Sequence, residues 1–236
     1  MASEVVAVLT IAVLYPELLG TYGDGGNGVV LLERARRRGI EASLVVVRLH
    51  EKVPGASLYV LGGGEDGPQR QARDLLAQSS FVSQVRDGAN VVAVCAGLQL
   101  LGHSFSVEGD ENFAGLGLVD ATTHRGERRS VGEIAVAVGE HLLVGFENHG
   151  GRTVLGEHVS PLGNVVKGRG NDGRVDGYRT ERVWATYAHG PVLAMNPWFA
   201  DEVLMTTLGY ELPPLASMAD RLYAQRCAVL NRHRDD

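Results

Sequence analysis

Apolar residues in this chain come first in short unbroken runs and later in helical spacing. The runs at 5–14, 42–49, 58–61 and 91–95 are nearly continuous in Val, Leu and Ala rather than alternating. Such runs suit strands covered on both faces, as in a parallel sheet. Between them, 28–38, 68–85 and 98–105 are spaced like helices. The alternation predicts an α/β fold, a three-layer sandwich with a mostly parallel central sheet, whose ligands collect beyond the carboxyl ends of the strands. Gly62-Gly63-Gly64 and Cys95 both fall at such ends. From 115 to 184 the pattern changes to short β-like pieces, notably 116–122 and 131–138, which predict an antiparallel β extension of the same domain. The stretches 197–208 and 215–234 return to helical spacing, with Pro213-Pro214 between them as C-terminal helices begin and end. One domain over 1–236 is expected, with a core to about residue 200 and a helical tail from about 201 to 236.

A chain of 236 residues can bury a full core. Its formal net charge of -6 and pI near 5.8 argue against a nucleic-acid binder that relies on a broad basic surface. The arginines at 34–38 lie on an expected helix and read as a solvated face; a second basic cluster occupies 125–129. The two cysteines, Cys95 and Cys227, indicate neither a disulfide framework nor a C-x-x-C zinc site. They suit a reducing cytoplasm. The apolar opening 4–15 lacks a basic flank and is too short to span a bilayer, and no later stretch is longer, so a soluble protein is expected.

Cys95 carries the first candidate chemistry. It stands where the run 91–95 meets Ala96-Gly97 and a helix-like pattern. A sharp strand-to-helix turn would leave its sulfur at the apex, as in G-x-S-x-G enzymes, with the helix dipole favouring an anionic sulfur. The alternative is a buried, inert strand cysteine. Far downstream, Trp184-Ala185-Thr186-Tyr187-Ala188-His189 reads as a short strand ending in a histidine, with Gly190-Pro191 to stop it. An imidazole of that kind is the proton partner a cysteine nucleophile needs. Gly62-Gly63-Gly64 would let backbone N–H groups approach a ligand, and the N–H of Ala96 would be the second donor of an oxyanion hole. The run Gly23-Asp24-Gly25-Gly26-Asn27-Gly28 formally fits a dinucleotide fingerprint, with Glu51 as the ribose ligand. However, residues 16–22 separate it from the preceding strand, so a glycine-rich loop with Asp24 and Asn27 capping the next helix is expected instead. Glu147-Asn148-His149-Gly150-Gly151-Arg152-Thr153 packs acid, amide, imidazole and guanidinium into one segment, either to hold a loop or to contact a ligand or partner. His141, His149 and His158 lack metal-ligand spacing, and no metal site is expected. Arg129 has the planar fork that binds a carboxylate, although position alone equally makes it a surface arginine.

Taken together, several of these segments resemble the class I glutamine amidotransferase-like fold, in the branch related to cobyric acid synthase. They are Tyr22-Gly23-Asp24-Gly25-Gly26-Asn27, Leu61-Gly62-Gly63-Gly64, Cys95-Ala96-Gly97-Leu98-Gln99-Leu100-Leu101-Gly102, Phe146 through Thr153, and Tyr187-Ala188-His189-Gly190-Pro191-Val192-Leu193. The Glu-Asn-His-Gly-Gly-Arg-Thr string and the His-Gly-Pro turn are most similar to the GatD-type glutaminase subunits of lipid II isoglutaminyl synthases. The resemblance implies glutamine hydrolysis through a thioester on Cys95, with His189 shuttling protons, Gly64 and Ala96 forming the oxyanion hole, and Arg129 binding substrate glutamine. It implies a cytoplasmic heterodimer with a MurT-type ATP-dependent ligase that amidates the D-glutamate of lipid II for the cell wall. ATP and any metal would belong to that partner, with no cofactor in this chain, no nucleic acid and no membrane insertion. Two positions depart from the broader class. Ala93 stands where many members have glycine, and Gly190-Pro191 follows His189 where many carry H-x-E, so the orienting acid cannot be read. Asp24 and Glu147 are the candidates for orienting the imidazole or for ammonia transfer. The alternatives are a cobyric acid synthase-type subunit acting on a corrinoid acid and a catalytically silent partner-binding subunit.

Overall fold

The computed structural model describes residues 9–107 and 111–232. Positions 5–8 of the first expected strand and 233–234 of the last expected helix lie outside the described residues. In chain order the elements are β1 (Leu9–Leu14), α1 (Gly26–Arg36), β2 (Ala42–Val47), β3 (Leu58–Leu61), α2 (Asp66–Gln78), α3 (Phe81–Arg86), β4 (Asn90–Val94) and α4 (Ala96–Leu101). There follow β5 (Ser104–Ser106), β6 (Asn112–Ala114), β7 (Ala121–Val138), β8 (His141–Leu155), β9 (Gly163–Lys167), β10 (Val175–Asp176), β11 (Tyr178–Arg179) and β12 (Val183–Thr186). The chain then forms α5 (Val192–Met195), α6 (Pro197–Leu208) and α7 (Met218–Arg232).

The first sheet has the order β11-β12-β4-β3-β1-β2, and every pairing in it is parallel except that of the short edge strand β11. Every residue of β3, β4 and β12 is buried, which is why their sequences show no alternation. Helices cover both faces, so the α/β sandwich expected from the apolar runs is the architecture observed. Trp184, Tyr59, Tyr178 and Phe81 are among the largest fully buried side chains. Each contributes on the order of 1.5–3 kcal/mol by leaving water. The strand order places the ends of β3, β4 and β12 side by side at the centre of one edge, so loops from distant parts of the sequence meet there.

The second sheet runs β10-β9-β7-β5-β6, with β8 on the other side of β7. The expected antiparallel extension is present, but as one long β7–β8 ribbon rather than separate short strands. A register shift between Arg125 and Ser130 lets β7 continue across a stretch whose pattern looked broken. Residues 116–120 precede this strand and are not part of it. Three further expectations are corrected. The helix expected over 68–85 is two helices, because Ser79 Oγ donates to the Leu76 carbonyl and accepts the Phe81 N–H, competing with the helical ladder. The helix expected over 98–105 ends at Leu101; Gly102 is extended, and Ser104–Ser106 pairs with β6 and β7. The arginines expected on a solvated face are in part a clamp. Arg34 is 6% exposed and binds Asp201 of α6 through two bonds of 2.6 Å, and Arg38 reaches the same carboxylate at 2.7 Å.

Candidate active site

Cys95 links β4 to α4 at φ 51°, ψ -105°, a strained conformation for a residue with a Cβ. The turn is held from both sides: the Cys95 N–H donates to Thr186 O of β12, and the Gly97 N–H donates to Gly62 O after β3. Its sulfur opens onto a cavity of about 100 Å³, lined also by Gly64, Ala96, Arg129 and Asn148. The N–H of Ala96, first residue of α4, lies outside the intrahelical ladder. Gly64 packs against backbone: a Cβ there would lie 2.3 Å from Leu18 O. The loop after β3 can therefore lie against Leu18 and Leu19 only because it carries no side chain there.

His189 lies three residues beyond β12 and is 1% exposed. Its backbone pairs with Phe146 of β8 through His189 N to Phe146 O at 2.8 Å and the reverse bond at 3.2 Å. Its Nδ1 is 2.8 Å from Asp24 Oδ2, and that carboxylate oxygen also accepts the Gly63 N–H at 2.9 Å. Its Nε2 is buried without a conventional hydrogen-bond partner among the described residues. Burial alone would lower the proton affinity of this ring. Asp24 and then Cys95 outweigh it, and the pKa is pushed up to about 9. The structure therefore places an imidazole of raised proton affinity within electrostatic reach of the sulfur, with a buried carboxylate behind it. The loop at 23–28 is not a helix cap, contrary to expectation: neither Asp24 nor Asn27 caps α1, and Asn27 Oδ1 instead accepts the Leu193 N–H at 2.9 Å.

Arg129 sits within the register shift of β7, where residues 126–129 stand opposite Gly150 alone, and it lines the cavity. Its Nε donates to Asn148 Oδ1 and its Nη2 to Asn148 O at 3.3 Å.

Comparison with known proteins places this geometry. Residues 10–197 match the family described as CobB/CobQ-like glutamine amidotransferase domain. The chain belongs to that family. This amidotransferase is 33% identical over 209 residues to the lipid II isoglutaminyl synthase (glutamine-hydrolyzing) subunit GatD of Streptococcus pneumoniae (strain ATCC BAA-255 / R6), covering 85% of this chain and 80% of that one. It is 31% identical over 203 residues to the Staphylococcus aureus (strain N315) subunit of the same name, with 83% of each covered. Cobyric acid synthase of Pelotomaculum thermopropionicum (strain DSM 13744 / JCM 10971 / SI) is 34% identical over 171 residues, but that match covers 58% of this chain and 33% of the synthase. Among solved structures, a glutamine amidotransferase shares the fold at a TM-score of 0.58 and 24% identity, over 84% of this chain and 98% of that one.

The amidotransferase holds a second imidazole near the cavity. His149 is 2% exposed, with Nε2 3.0 Å from Glu147 Oε2, Nδ1 3.0 Å from the Gly151 carbonyl, and its ring stacked on Tyr187 at 3.8 Å. Burial pulls its pKa below the usual imidazole range, against the pull of Glu147. Burial acts to raise Glu147, but the bond from His149 and the N–H groups of Gly170 and Arg169 hold the carboxyl below its ordinary value. Glu147 is thus bound to His149 and not to His189; of the two candidate acids, Asp24 is the one beside the His189 ring. Sequence reasoning did not single out Tyr22 or Asn148, both of which line the cavity. Asn148 lay within the dense polar string, but nothing in that string distinguishes a residue facing the cavity from one facing the core.

Among the described residues, no helix is long and apolar enough to cross a membrane.

Proposed function

We propose that this chain is the glutamine-hydrolysing subunit of a lipid II isoglutaminyl synthase. The observation that carries the chemistry is the assembly of Cys95, His189 and Asp24 from three separate segments around one strained turn. Cys95 as thiolate attacks the side-chain carboxamide carbon of glutamine, and the N–H groups of Gly64 and Ala96 take up the negative charge on oxygen. The C–N bond then breaks as His189 gives its proton to the departing nitrogen, leaving ammonia and a glutamyl thioester. His189 next removes a proton from water, the hydroxide adds to the thioester carbon, and the C–S bond breaks to release glutamate and restore the thiolate. Asp24 holds the ring with Nε2 toward the reaction and balances its charge. Arg129 receives the α-carboxylate of glutamine.

Ammonia then passes to a MurT-type ATP-dependent ligase subunit in a cytoplasmic heterodimer, which amidates the D-glutamate of the lipid II stem peptide; ATP and any metal are held by that partner. The shares of length covered favour this assignment. The chain matches four-fifths of the GatD subunits but only a third of cobyric acid synthase. A corrinoid amidotransferase subunit is therefore the less supported reading.

The test is ammonia release from glutamine by the complex. Cys95→Ser and His189→Ala should abolish it while amidation with free ammonia continues. Glutamine-dependent amidation that survives Cys95→Ser would remove the mechanism. Co-purification with a Mur-ligase-like protein supports the cell-wall assignment; a corrinoid-acid synthetase in its place overturns it.

A further inference from the structure

Asn148 lies between Arg129 on one side of this site and Cys95 and Tyr22 on the other. Its neighbours on β8, Glu147 and His149, are bonded to each other at 3.0 Å, which pins the strand on either side of it. Its side-chain amide and its carbonyl oxygen meet residues that line the cavity. Oδ1 accepts Arg129 Nε, the backbone carbonyl accepts Arg129 Nη2 at 3.3 Å, and the same carbonyl oxygen lies 4.0 Å from Cys95 Sγ. Nδ2 donates to the Tyr22 hydroxyl, and the Tyr22 ring packs against His189 at 4.4 Å between centroids. Arginine has no acceptor, so the amide can be oriented only with oxygen toward Arg129 and nitrogen toward Tyr22.

A guanidinium presents its N–H groups along flat edges. Asn148 occupies the Nε–Nη2 edge of Arg129, which leaves the Nη1–Nη2 edge to meet a carboxylate bidentately. We propose that Asn148 is the positioning residue for glutamine recognition, aiming Arg129 at the substrate's α-carboxylate and tying that arginine through Tyr22 to the ring of His189. This inference rests on the glutaminase reading above. Asparagine suits the place because it offers an acceptor and a donor on one short, uncharged group. Aspartate would keep the Arg129 contact but lose the donor, and its charge would compete with the substrate carboxylate for Arg129.

The experiment uses the full chain in complex with its ligase subunit, measuring glutamine kinetics and two rates of Cys95 labelling. One reagent is 6-diazo-5-oxo-L-norleucine, which carries the amino-acid end of glutamine; the other is iodoacetamide, which does not. Asn148→Asp should raise KM for glutamine by about tenfold or more, as expected for a weakened bond to a charged group. It should lower kcat much less, slow the glutamine-shaped reagent to a similar degree, and leave iodoacetamide unaffected. Tyr22→Phe, which keeps the ring and loses only the hydroxyl link, should lower kcat more than it raises KM. Unchanged KM and labelling in both Asn148→Asp and Asn148→Ala, with Cys95→Ser still inactive, overturn the proposal and leave the glutaminase reading standing. Equal slowing of both reagents also overturns it, because that marks a general disturbance. Activity in Cys95→Ser would instead remove the underlying reading.

Discussion

Three carboxylate–imidazole pairs among the described residues have nearly the same length and very different surroundings. Asp24–His189 at 2.8 Å and Glu147–His149 at 3.0 Å are buried, and His103–Asp120 at 3.1 Å is more than half exposed on both sides. In the first, one ring nitrogen binds the carboxylate while the other is left without a conventional partner in the region of Cys95, and the ring gains proton affinity. In the second, both ring nitrogens face oxygen acceptors and the ring lies against Tyr187, so burial dominates and proton affinity falls. The third is largely exposed and therefore screened by water. The distance between partners therefore says little about function. What separates a reactive pair from a structural one is whether the far nitrogen is left for a reacting group.

The largest way to break this comparison is Asp24→Asn. If Asp24 orients His189, kcat for ammonia release falls on the order of 10²–10⁴-fold. A fall of less than about tenfold would put Asp24 on a par with the structural acid. Gly63→Ala comes next. The added Cβ would sit 2.5 Å from His189 Cε1 and 3.2 Å from Asp24 Oδ2, and displacing the ring should slow turnover by up to about a hundredfold. Undiminished turnover would mean that ring placement is tolerant. Glu147→Gln should act on stability instead, lowering the unfolding free energy in urea by about 1–3 kcal/mol while turnover stays within about tenfold of the parent. A larger loss of kcat than of stability would make the second pair reactive after all.

The pH dependence sharpens the contrast. A ring raised from 6.5 to about 9 in the folded state contributes stability that is fully present below pH 6.5 and is lost as pH rises through about 9. NMR titration of His189 should show this, and Cys95→Ala should move the midpoint downward by removing one of the charges that favours the cation. No movement would mean that Asp24 alone sets the value. The smallest effect belongs to the exposed pair: His103→Ala should change stability by less than about 1 kcal/mol and leave ammonia release intact.

The sheet was legible because burial on both faces writes itself into sequence as unbroken apolar runs, and β3 and β4 fall where those runs predict, whereas the strand expected to end in His189 is β12, which stops at Thr186. The strained turn at Cys95 was legible for a local reason, since small residues must flank it. Errors arose where local pattern and long-range pairing disagree. The segment after Leu101 has helical spacing, yet Ser104–Ser106 is drawn into the second sheet by β6 and β7. Arg34 and Arg38 look solvated until α6 brings Asp201 beside them.

The amino-acid sequence by itself determined the layered α/β core, the place of Cys95 at a strand end, the glycine loop that can approach it, and the presence of a distant histidine. These follow from spacing and side-chain size, which act within a few residues. Only the tertiary structure decided which acid serves which imidazole. Asp24 meets His189 across 165 positions and Glu147 turns to His149 two residues away, because parallel strand order, not sequence proximity, sets which loops share one edge of the sheet. The proton affinities of the two rings were decided in the same way, since burial and neighbouring charge belong to the folded surroundings.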